Sequence, residues 1–282
     1  MPREVLERVV STYLALPFDS FSIVFQGGEP LLAGLDFFRA AAAAVRRFRR
    51  PGTEVCLAVQ TNGTLLDRQS ARFFADEGWL AGVSVDGPER FHDAWRRDAA
   101  GGGSYGAAMR GIGFLREAGA QFNVLCLATP ANIAFPRETY RHLRDAAGAA
   151  WQQYSYWRER VSVREWDGFL CGVLDAWIED GDAGRVKVGN IENAVAYVRH
   201  GIATQCIFAD ACDGCLVVER NGDVYPCDFH VSRSTLLGNI MTADWQTLRS
   251  SPRARAFAAA KCPRHLSLIP RMRFYDRIAE SL

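Results

Sequence analysis

Over the first 200 residues, short apolar runs alternate with amphipathic segments, and this alternation limits the fold more than any other feature of the sequence. The amphipathic segments have helical spacing; in one of them Leu35, Phe38, Val45 and Phe48 share a face. The runs that predict strands are 21–25, 55–59, 80–85 and 122–127, with a more polar run at 151–157. Near-continuous apolar strands alternating with helices predict an α/β fold, a parallel sheet covered by helices.

The pattern changes after about residue 200. Short segments, turn residues and cysteines take over, and LVVERNGDVYPC predicts a β-hairpin whose turn is Asn221-Gly222. We therefore place a domain boundary near residue 200, with one domain over 1–200 and a second over 201–282. From Cys262 to the end no periodicity is visible, and no element is predicted there. Within the first domain, Asp67 and Gly78 bracket one helix, and Ser104 is the expected N-cap of the next.

Charge and hydropathy exclude several functional classes. The 33 basic and 32 acidic residues leave a net charge of +1, so no electrostatic argument supports binding to nucleic acid or to an anionic membrane. No apolar run approaches the roughly 18 residues of a membrane span, and the first residues, MPREVLERVV, do not resemble a signal peptide. We expect a cytoplasmic globular protein.

Three predicted strands end in small polar residues and glycines. Gln26-Gly27-Gly28-Glu29-Pro30 follows the first strand, Gln60-Thr61-Asn62-Gly63-Thr64 the second, and Ser84-Val85-Asp86-Gly87-Pro88 the third. Ligands bind at the C-terminal ends of strands in parallel α/β folds, and glycines expose bare backbone to them. Each segment alone is also an ordinary turn, because these residue types favour turns. Their repetition on successive strands indicates a binding site.

Eight cysteines give the strongest chemical signal. Cys206, Cys212, Cys215 and Cys227 lie within 22 residues and could supply thiolates either to tetrahedral zinc or to an iron–sulfur cluster. Cys56, Cys126 and Cys171 lie in apolar strand or helix patterns, so we interpret them as buried core thiols. Asp228 directly follows Cys227 and could accept a proton from a substrate, although the sequence pattern alone favours a turn-capping role. For His230 a surface role is expected rather than metal ligation.

Several of these segments resemble the anaerobic sulfatase-maturating enzymes, which are radical S-adenosylmethionine proteins with a C-terminal SPASM-type domain. They are FQGGEPLLAGLDFF, QTNGTLLD, GVSVDGP and NGDVYPCDFHV, the last followed by LGNI. The resemblance covers roughly residues 3–260 and is interrupted around 149–160, where this chain is shorter. It implies an incomplete (β/α)6 barrel that lacks its first strand, followed by a small cysteine-rich domain with a β-hairpin.

The resemblance also implies a reaction and a set of site residues. Family members use an iron–sulfur cluster to cleave S-adenosylmethionine, and the resulting radical abstracts hydrogen from a sulfatase cysteine or serine, which is oxidised to formylglycine. The implied partners are a sulfatase polypeptide and an electron donor such as ferredoxin or flavodoxin. By motif, Gly27, Gly28, Glu29 and Ser84 would contact the cofactor, Gln26 the bound peptide, and Asp228 would be the catalytic base. Cys206, Cys212 and Cys227 match three ligands of an auxiliary 4Fe-4S cluster, with Cys215 or Cys262 as its fourth.

One departure limits the expected activity. The family's CxxxCxxC loop, which holds the catalytic cluster, lies upstream of the matching segment, and no CxxxCxxC occurs in the 282 residues. The radical cluster therefore lacks its ligands, and we expect the chain to be inactive alone. A non-catalytic module that binds a peptide or a partner subunit, and a zinc-stapled domain attached to a barrel remnant, are the alternatives.

Overall fold

The main element of the fold is a six-stranded sheet with the strand order β1-β2-β3-β4-β5-β6. The computed structural model describes residues 1–206, 212, 215–260 and 272–281. The pairs from β2 to β6 are parallel. The strands are β1 (Ser20–Phe25), β2 (Glu54–Thr61), β3 (Leu80–Ser84), β4 (Phe122–Ala128), β5 (Trp151–Tyr156) and β6 (Lys187–Val188). The predicted α/β class and its five strands are confirmed. The strand β6 was not predicted, because two residues are too few to show a periodic pattern.

Helices connect the strands. They are α1 (Arg3–Leu14), α2 (Leu35–Phe48), α3 (Arg68–Asp76), α4 (Glu89–Trp95), α5 (Tyr105–Ala118), α6 (Pro136–Asp145), α7 (Val163–Glu179), α8 (Gly189–His200), α9 (Trp245–Arg249), α10 (Pro252–Ala259) and α11 (Arg273–Ser281). Asp67 caps α3 as predicted, because its carboxylate accepts the backbone N–H of Ser70 at 2.7 Å. Ser104 is the N-cap residue of α5, as predicted, but its side chain makes no capping bond. Its hydroxyl donates to the carbonyl of Arg96 at 2.9 Å instead.

The two faces of the sheet differ in polarity. Ala81 and Val83 of β3 and Val124 and Cys126 of β4 are at most 1% exposed. The alternate positions carry polar or less buried residues, which include Gln60, Ser84, Leu125 and Gln153. Successive side chains of a strand point to opposite faces, so the first set forms the apolar face and the second set a more open, polar one.

The described residues form two compact units. The first comprises Met1–Ile23, Leu32–Cys56 and the described residues from Gln205 to α10; the second comprises Val24–Leu31, Leu57–Thr204 and α11.

A three-stranded antiparallel sheet organises the C-terminal part of the first unit. It has the order β7-β8-β9, with β7 (Val217–Val218), β8 (Asp223–Tyr225) and β9 (Gly238–Asn239). The predicted hairpin is therefore confirmed, and Gly222 in its turn has a φ of 89°. Val5 of α1 packs in one apolar cluster with Val224, Ile240, Trp245 and Leu248. The N-terminal helix thus shares a core with the hairpin.

The second unit includes a helix that the sequence did not predict. In α11, Phe274, Tyr275 and Ile278 are buried, and the helix packs on α7 and α8. Asp167 of α7 accepts the backbone N–H groups of Phe274 at 3.0 Å and Arg273 at 3.3 Å. The expectation of no element after Cys262 was wrong, because the helix depends on contacts more than 100 residues away in sequence rather than on a long periodic pattern.

Candidate functional site

The loop after β1 has a backbone that only glycine adopts readily. Gly27 and Gly28 have φ angles of 96° and 54°, and both are exposed. A Cβ placed on either residue would meet no heavy atom within 4 Å. Backbone conformation rather than crowding therefore explains these two glycines. The result is a stretch of exposed main chain at the C-terminal end of the strand.

Glu29 holds this loop against the end of the neighbouring strand. Its Oε1 accepts the Thr61 hydroxyl at 2.6 Å and the backbone N–H of Leu31 at 3.0 Å. Its Oε2 accepts the backbone N–H of Asn62 at 2.8 Å. Bonds to a carboxylate are stronger than bonds between neutral groups. The Glu29 side chain thus binds protein groups in this structure, while the backbone of Gly27 and Gly28 stays exposed.

The turn after β2 is held by its own side chains. Thr61 Oγ1 accepts the N–H of Gly63 at 3.0 Å, and Asn62 Oδ1 accepts the N–H of Thr64 at 2.9 Å. Gly63 has a φ of 78°, and a Cβ there would lie 2.8 Å from Val83 Cγ1. Together with Glu29, these bonds fix the ends of β1 and β2 relative to each other.

Ser84 lies at the last position of β3, on the polar face of the sheet. Its hydroxyl oxygen accepts a hydrogen bond from Gln60 Nε2 of β2 at 3.2 Å. Ser84 and Gln60 are both half-buried. The sequence placed Ser84 at a strand end, but the bond from Gln60 was not predicted, because it depends on the register between β2 and β3.

Asp86, in the turn after β3, has a structural role. It is 1% exposed and pairs with Arg96 through bonds of 2.6 and 3.1 Å. Its Oδ1 also accepts the N–H of Leu127 at 2.8 Å, and its carbonyl accepts Asn132 Nδ2 at 3.0 Å. A buried charge needs such partners. Asp86 therefore joins the ends of β3 and β4 to the helix that follows.

His92 lies beside this pair and is neutral at ordinary pH. It is 1% exposed; its Nδ1 accepts the N–H of Asp86 at 3.4 Å and its Nε2 is 3.0 Å from Ser104 Oγ. Burial lowers the pKa of His92 to about 4, against a smaller opposing effect of the Asp86 carboxylate. Neither His92 nor Arg96 was predicted as a site residue, because nothing in the sequence distinguishes them from their neighbours.

The cysteine group lies in the first unit, around the hairpin. Burial raises the pKa of Cys215 to about 11, and the nearby Cys206, Cys227, Asp228 and Cys212 add to the shift. Cys227 Sγ donates to Asp228 Oδ1 at 3.6 Å, and the N–H of Phe229 donates to the same oxygen at 3.1 Å. Asp228 is exposed, and so is His230. The four thiols therefore share one neighbourhood, with the carboxylate of Asp228 beside it.

These residues have the chemistry of an iron–sulfur site, since thiolates are the usual ligands of such clusters. Among the residues that the structure describes, however, no three Cys, His, Asp or Glu side chains are arranged closely enough to hold a metal ion. Cys262 lies outside the described residues. Cys126 and Cys171 are buried as predicted, but Cys56 is exposed, which corrects that prediction.

The predicted site residues thus fall into two groups. Gln26, Gly27, Gly28, Glu29 and Ser84 belong to the second unit, while Cys206, Cys212, Cys215, Cys227 and Asp228 belong to the first. Gln26 is exposed at the start of the glycine loop.

Comparison with known proteins identifies the family. The cysteine-type anaerobic sulfatase-maturating enzyme of Clostridium perfringens strain 13 is 30% identical over 251 residues, covering 85% of this chain and 68% of that protein. The chain belongs to the anaerobic sulfatase-maturating enzyme family. A serine-type member from Bacteroides thetaiotaomicron is 28% identical, covering 93% of this chain and 69% of its own. Members of both types are thus similar to this chain at nearly equal identity.

Two further comparisons agree with this assignment. Residues 206–268 match the SPASM family, described as an iron-sulfur cluster-binding domain. The structure of native anSMEcpe with bound AdoMet superposes with a TM-score of 0.87 at 28% identity, covering 93% of this chain and 74% of that one. The predicted fold class, a radical-SAM-type sheet followed by a SPASM domain with a hairpin, is confirmed. Within the described residues, no helix has the length and hydropathy needed to cross a bilayer.

Proposed function

We propose that this chain is a sulfatase-maturase protein that binds S-adenosylmethionine at the strand ends of its sheet and an auxiliary iron–sulfur cluster in its cysteine-rich part. The observation that carries the proposal is the glycine loop: Glu29 anchors it to Thr61 and Asn62, and the backbone of Gly27 and Gly28 is left exposed. Exposed main-chain groups at the ends of parallel strands are suited to bind a polar ligand. The domain division near residue 200 belongs to the same proposal.

The site residues receive roles from this assignment. The main chain of Gly27 and Gly28, with Glu29 holding it in place, contacts the amino-acid part of the cofactor, and Ser84 contributes a hydroxyl. Gln26 faces the peptide. The substrate is a sulfatase polypeptide, whose cysteine or serine is oxidised to formylglycine, and Asp228 accepts the proton from that side chain. An electron donor such as ferredoxin or flavodoxin completes the set of partners, in the cytoplasm.

Cys206, Cys212 and Cys227 are the proposed thiolate ligands of a four-iron auxiliary cluster, which supplies electron transfer when bound. The fourth ligand is Cys215 or Cys262. Cys215 is supported by its place in the sequence, between Cys212 and Cys227 and within the same cysteine group. Cluster incorporation after Cys215→Ala and after Cys262→Ala, measured as bound iron and sulfide, decides between them. Cys56→Ala is the matched control, since Cys56 is exposed and outside the group.

The radical step is not proposed for this polypeptide alone. In the family, the three thiolates of the CxxxCxxC loop hold the catalytic cluster and leave one of its irons open to the cofactor. No CxxxCxxC is present in the 282 residues. The test is anaerobic reconstitution with iron and sulfide, followed by measurement of 5′-deoxyadenosine in the presence of a reductant. We expect a brown protein that releases no 5′-deoxyadenosine. Efficient cleavage of S-adenosylmethionine would contradict this part of the proposal.

A second candidate is a binding module without catalysis, built on the same exposed glycine loop. In that case the chain binds a sulfatase peptide and performs no oxidation. Peptide affinity should then persist in a Cys206→Ala, Cys212→Ala, Cys227→Ala variant. Loss of affinity in that variant would favour a cluster-dependent site. Metal analysis of the purified protein separates both from a zinc-stapled domain, which would be colourless.

A further inference from the structure

Gly82 lies in the middle of β3, where a glycine weakens a strand and therefore needs a reason. Its φ is not in the left-handed region, so backbone conformation does not require glycine here. A Cβ placed on Gly82 would lie 2.1 Å from Oε1 of Gln60 and 3.1 Å from Oδ1 of Asn123. The reason is space: the amide of Gln60 crosses β3 where any other residue would have a side chain.

The register of the sheet explains how these side chains meet. Gln60 of β2 pairs with Gly82, and Gly82 pairs with Asn123 of β4. The three residues therefore share one face and lie side by side across three strands. With its amide lying over Gly82, Gln60 donates through Nε2 to Ser84 Oγ, two residues further along β3.

Asn123 lies on the other side of Gly82 from Gln60. It is 6% exposed, and its Oδ1 is buried without a hydrogen-bond partner among the residues that the structure describes. The oxygen and nitrogen of an amide are exchanged by a half-turn of its plane. Such a turn of the Gln60 amide would direct Nε2 toward Asn123 and Oε1 toward Ser84, whose hydroxyl would then donate. In both orientations Gln60 is the group that contacts Ser84.

We propose that Gly82, Gln60 and Asn123 form a positioning unit that orients the Ser84 hydroxyl toward the ligand bound at the strand ends. With Gln60 Nε2 donating to Ser84, the hydroxyl proton is free for an acceptor on the ligand; with the amide turned, Ser84 offers a lone pair to a ligand donor. None of the three residues needs to touch the ligand. The identity of the ligand, S-adenosylmethionine, rests on the proposed function. The placement of the Gln60 amide in the space left by Gly82 does not.

The test is a double-mutant cycle on Gly82 and Gln60. In Gly82→Ala the new methyl group displaces the end of the Gln60 side chain, at small cost to stability because that side chain is flexible, and the bond to Ser84 is lost. Loss of one neutral hydrogen bond corresponds to about a fivefold change in affinity. Binding of S-adenosylmethionine should therefore weaken about fivefold in Gly82→Ala, Gln60→Ala and Ser84→Ala, measured by equilibrium dialysis.

The decisive comparison is the double variant. Gly82→Ala, Gln60→Ala should bind as Gln60→Ala does, because once Gln60 is gone the methyl group displaces nothing. Gly168→Ala is the matched control, since a Cβ on Gly168 meets no atom within 4 Å. Independent, additive losses would overturn the proposal. So would a Gly82→Ala variant that fails to fold and is not rescued by Gln60→Ala.

A ligand-free measurement separates this inference from the proposed function. In protein labelled with nitrogen-15 on glutamine, the side-chain amide signal of Gln60 is assigned by its absence in Gln60→Ala. We expect that signal to shift in Gly82→Ala and in Ser84→Ala, but not in Gly168→Ala. If wild-type protein binds no S-adenosylmethionine, the proposed cofactor site is wrong. The Gln60 signal still shows whether Gly82 leaves the space that the Gln60 amide occupies. An unchanged Gln60 signal in Gly82→Ala would overturn the positioning unit.

Discussion

Thr61 and Glu29 join the ends of two neighbouring strands: the Thr61 hydroxyl donates to Glu29 Oε1 at 2.6 Å, and β1 and β2 are adjacent in the sheet. The Glu29 carboxylate has two further N–H partners, Leu31 and Asn62. An acid of a binding motif thus acts through protein contacts that shape the loop. This relationship explains why a conservative change at Glu29 should have a large local effect.

Glu29→Gln should loosen the glycine loop. The glutamine amide has the size of the carboxylate, but its NH2 group must face hydrogen-bond donors. In one orientation it faces the N–H of Asn62, and in the other it faces the N–H of Leu31 and the hydroxyl of Thr61. Bonds to a charged acceptor contribute about 1.5–3 kcal/mol each. We expect the backbone amides of Leu31 and Asn62 to exchange with deuterium about tenfold faster or more. Glu54→Gln, at an exposed position of β2, is the control and should leave both rates unchanged. Equal exchange in Glu29→Gln and wild type would show that the loop does not depend on this charge.

Arg96→Ala should destabilise the protein far more than an equivalent change in a surface pair. It would leave the Asp86 carboxylate, which is 1% exposed, without its cation. Removal of one partner from a buried pair costs about 3 kcal/mol or more. Arg72→Ala breaks the exposed pair with Asp76 and should cost less than about 0.5 kcal/mol. Urea unfolding measures both variants. Comparable small losses would mean that water replaces Arg96 at Asp86.

Stability should fall on acidification because of His92. Burial holds the pKa of His92 in the folded protein at about 4, below the ordinary histidine value of 6.5. The unfolded chain therefore binds a proton that the folded protein does not, at pH values between the two. The contribution is fully present above pH 6.5, is lost as the pH falls toward 4, and amounts to about 3 kcal/mol.

The check is the free energy of unfolding at pH 7.5 and pH 4.5 for wild type and His92→Gln. Burial lowers the pKa of His142 as well, so that residue adds a loss of the same sign in both proteins. The variant should therefore lose less stability than wild type over this interval. His200→Gln, at an exposed position, should behave as wild type does. An identical pH dependence in His92→Gln would rule out this role.

How much of the site could be predicted depended on whether the signal was local. The glycine loop and Ser84 were placed at strand ends because strand, turn and glycine lie next to each other in the sequence. The pairing of Asp86 with Arg96 was missed, since it requires the chain after β3 to bring Arg96, which directly follows α4, back to a strand end. The position of the Gln60 amide over Gly82 was also missed, because it too depends on contacts between separate elements. It exists only in the register of β2 against β3, and either residue alone is unremarkable in the sequence.

The C-terminal helix gives the clearest case of a structure fixed by distant contacts. Asp167 lies 107 residues before Phe274 and accepts its backbone N–H at 3.0 Å, with the N–H of Arg273 at 3.3 Å. A carboxylate at a helix N-terminus satisfies donors that the helix itself leaves unpaired and interacts favourably with the helix dipole. Asp167 is itself 6% exposed, so its carboxylate is largely removed from water.

Asp167→Ala should therefore release the first turn of α11. We expect the amides of Phe274 and Tyr275 to lose protection in hydrogen exchange, and the unfolding free energy to fall by about 1–2 kcal/mol, the usual cost of losing a capping side chain. Tyr275 also accepts a hydrogen bond from Asn193 Nδ2 at 3.2 Å, which should keep the rest of the helix in place. Glu280→Gln, on the exposed side of α11, is the control. If exchange at Phe274 were unchanged in Asp167→Ala, apolar packing of Phe274 and Ile278 alone would account for the docked helix.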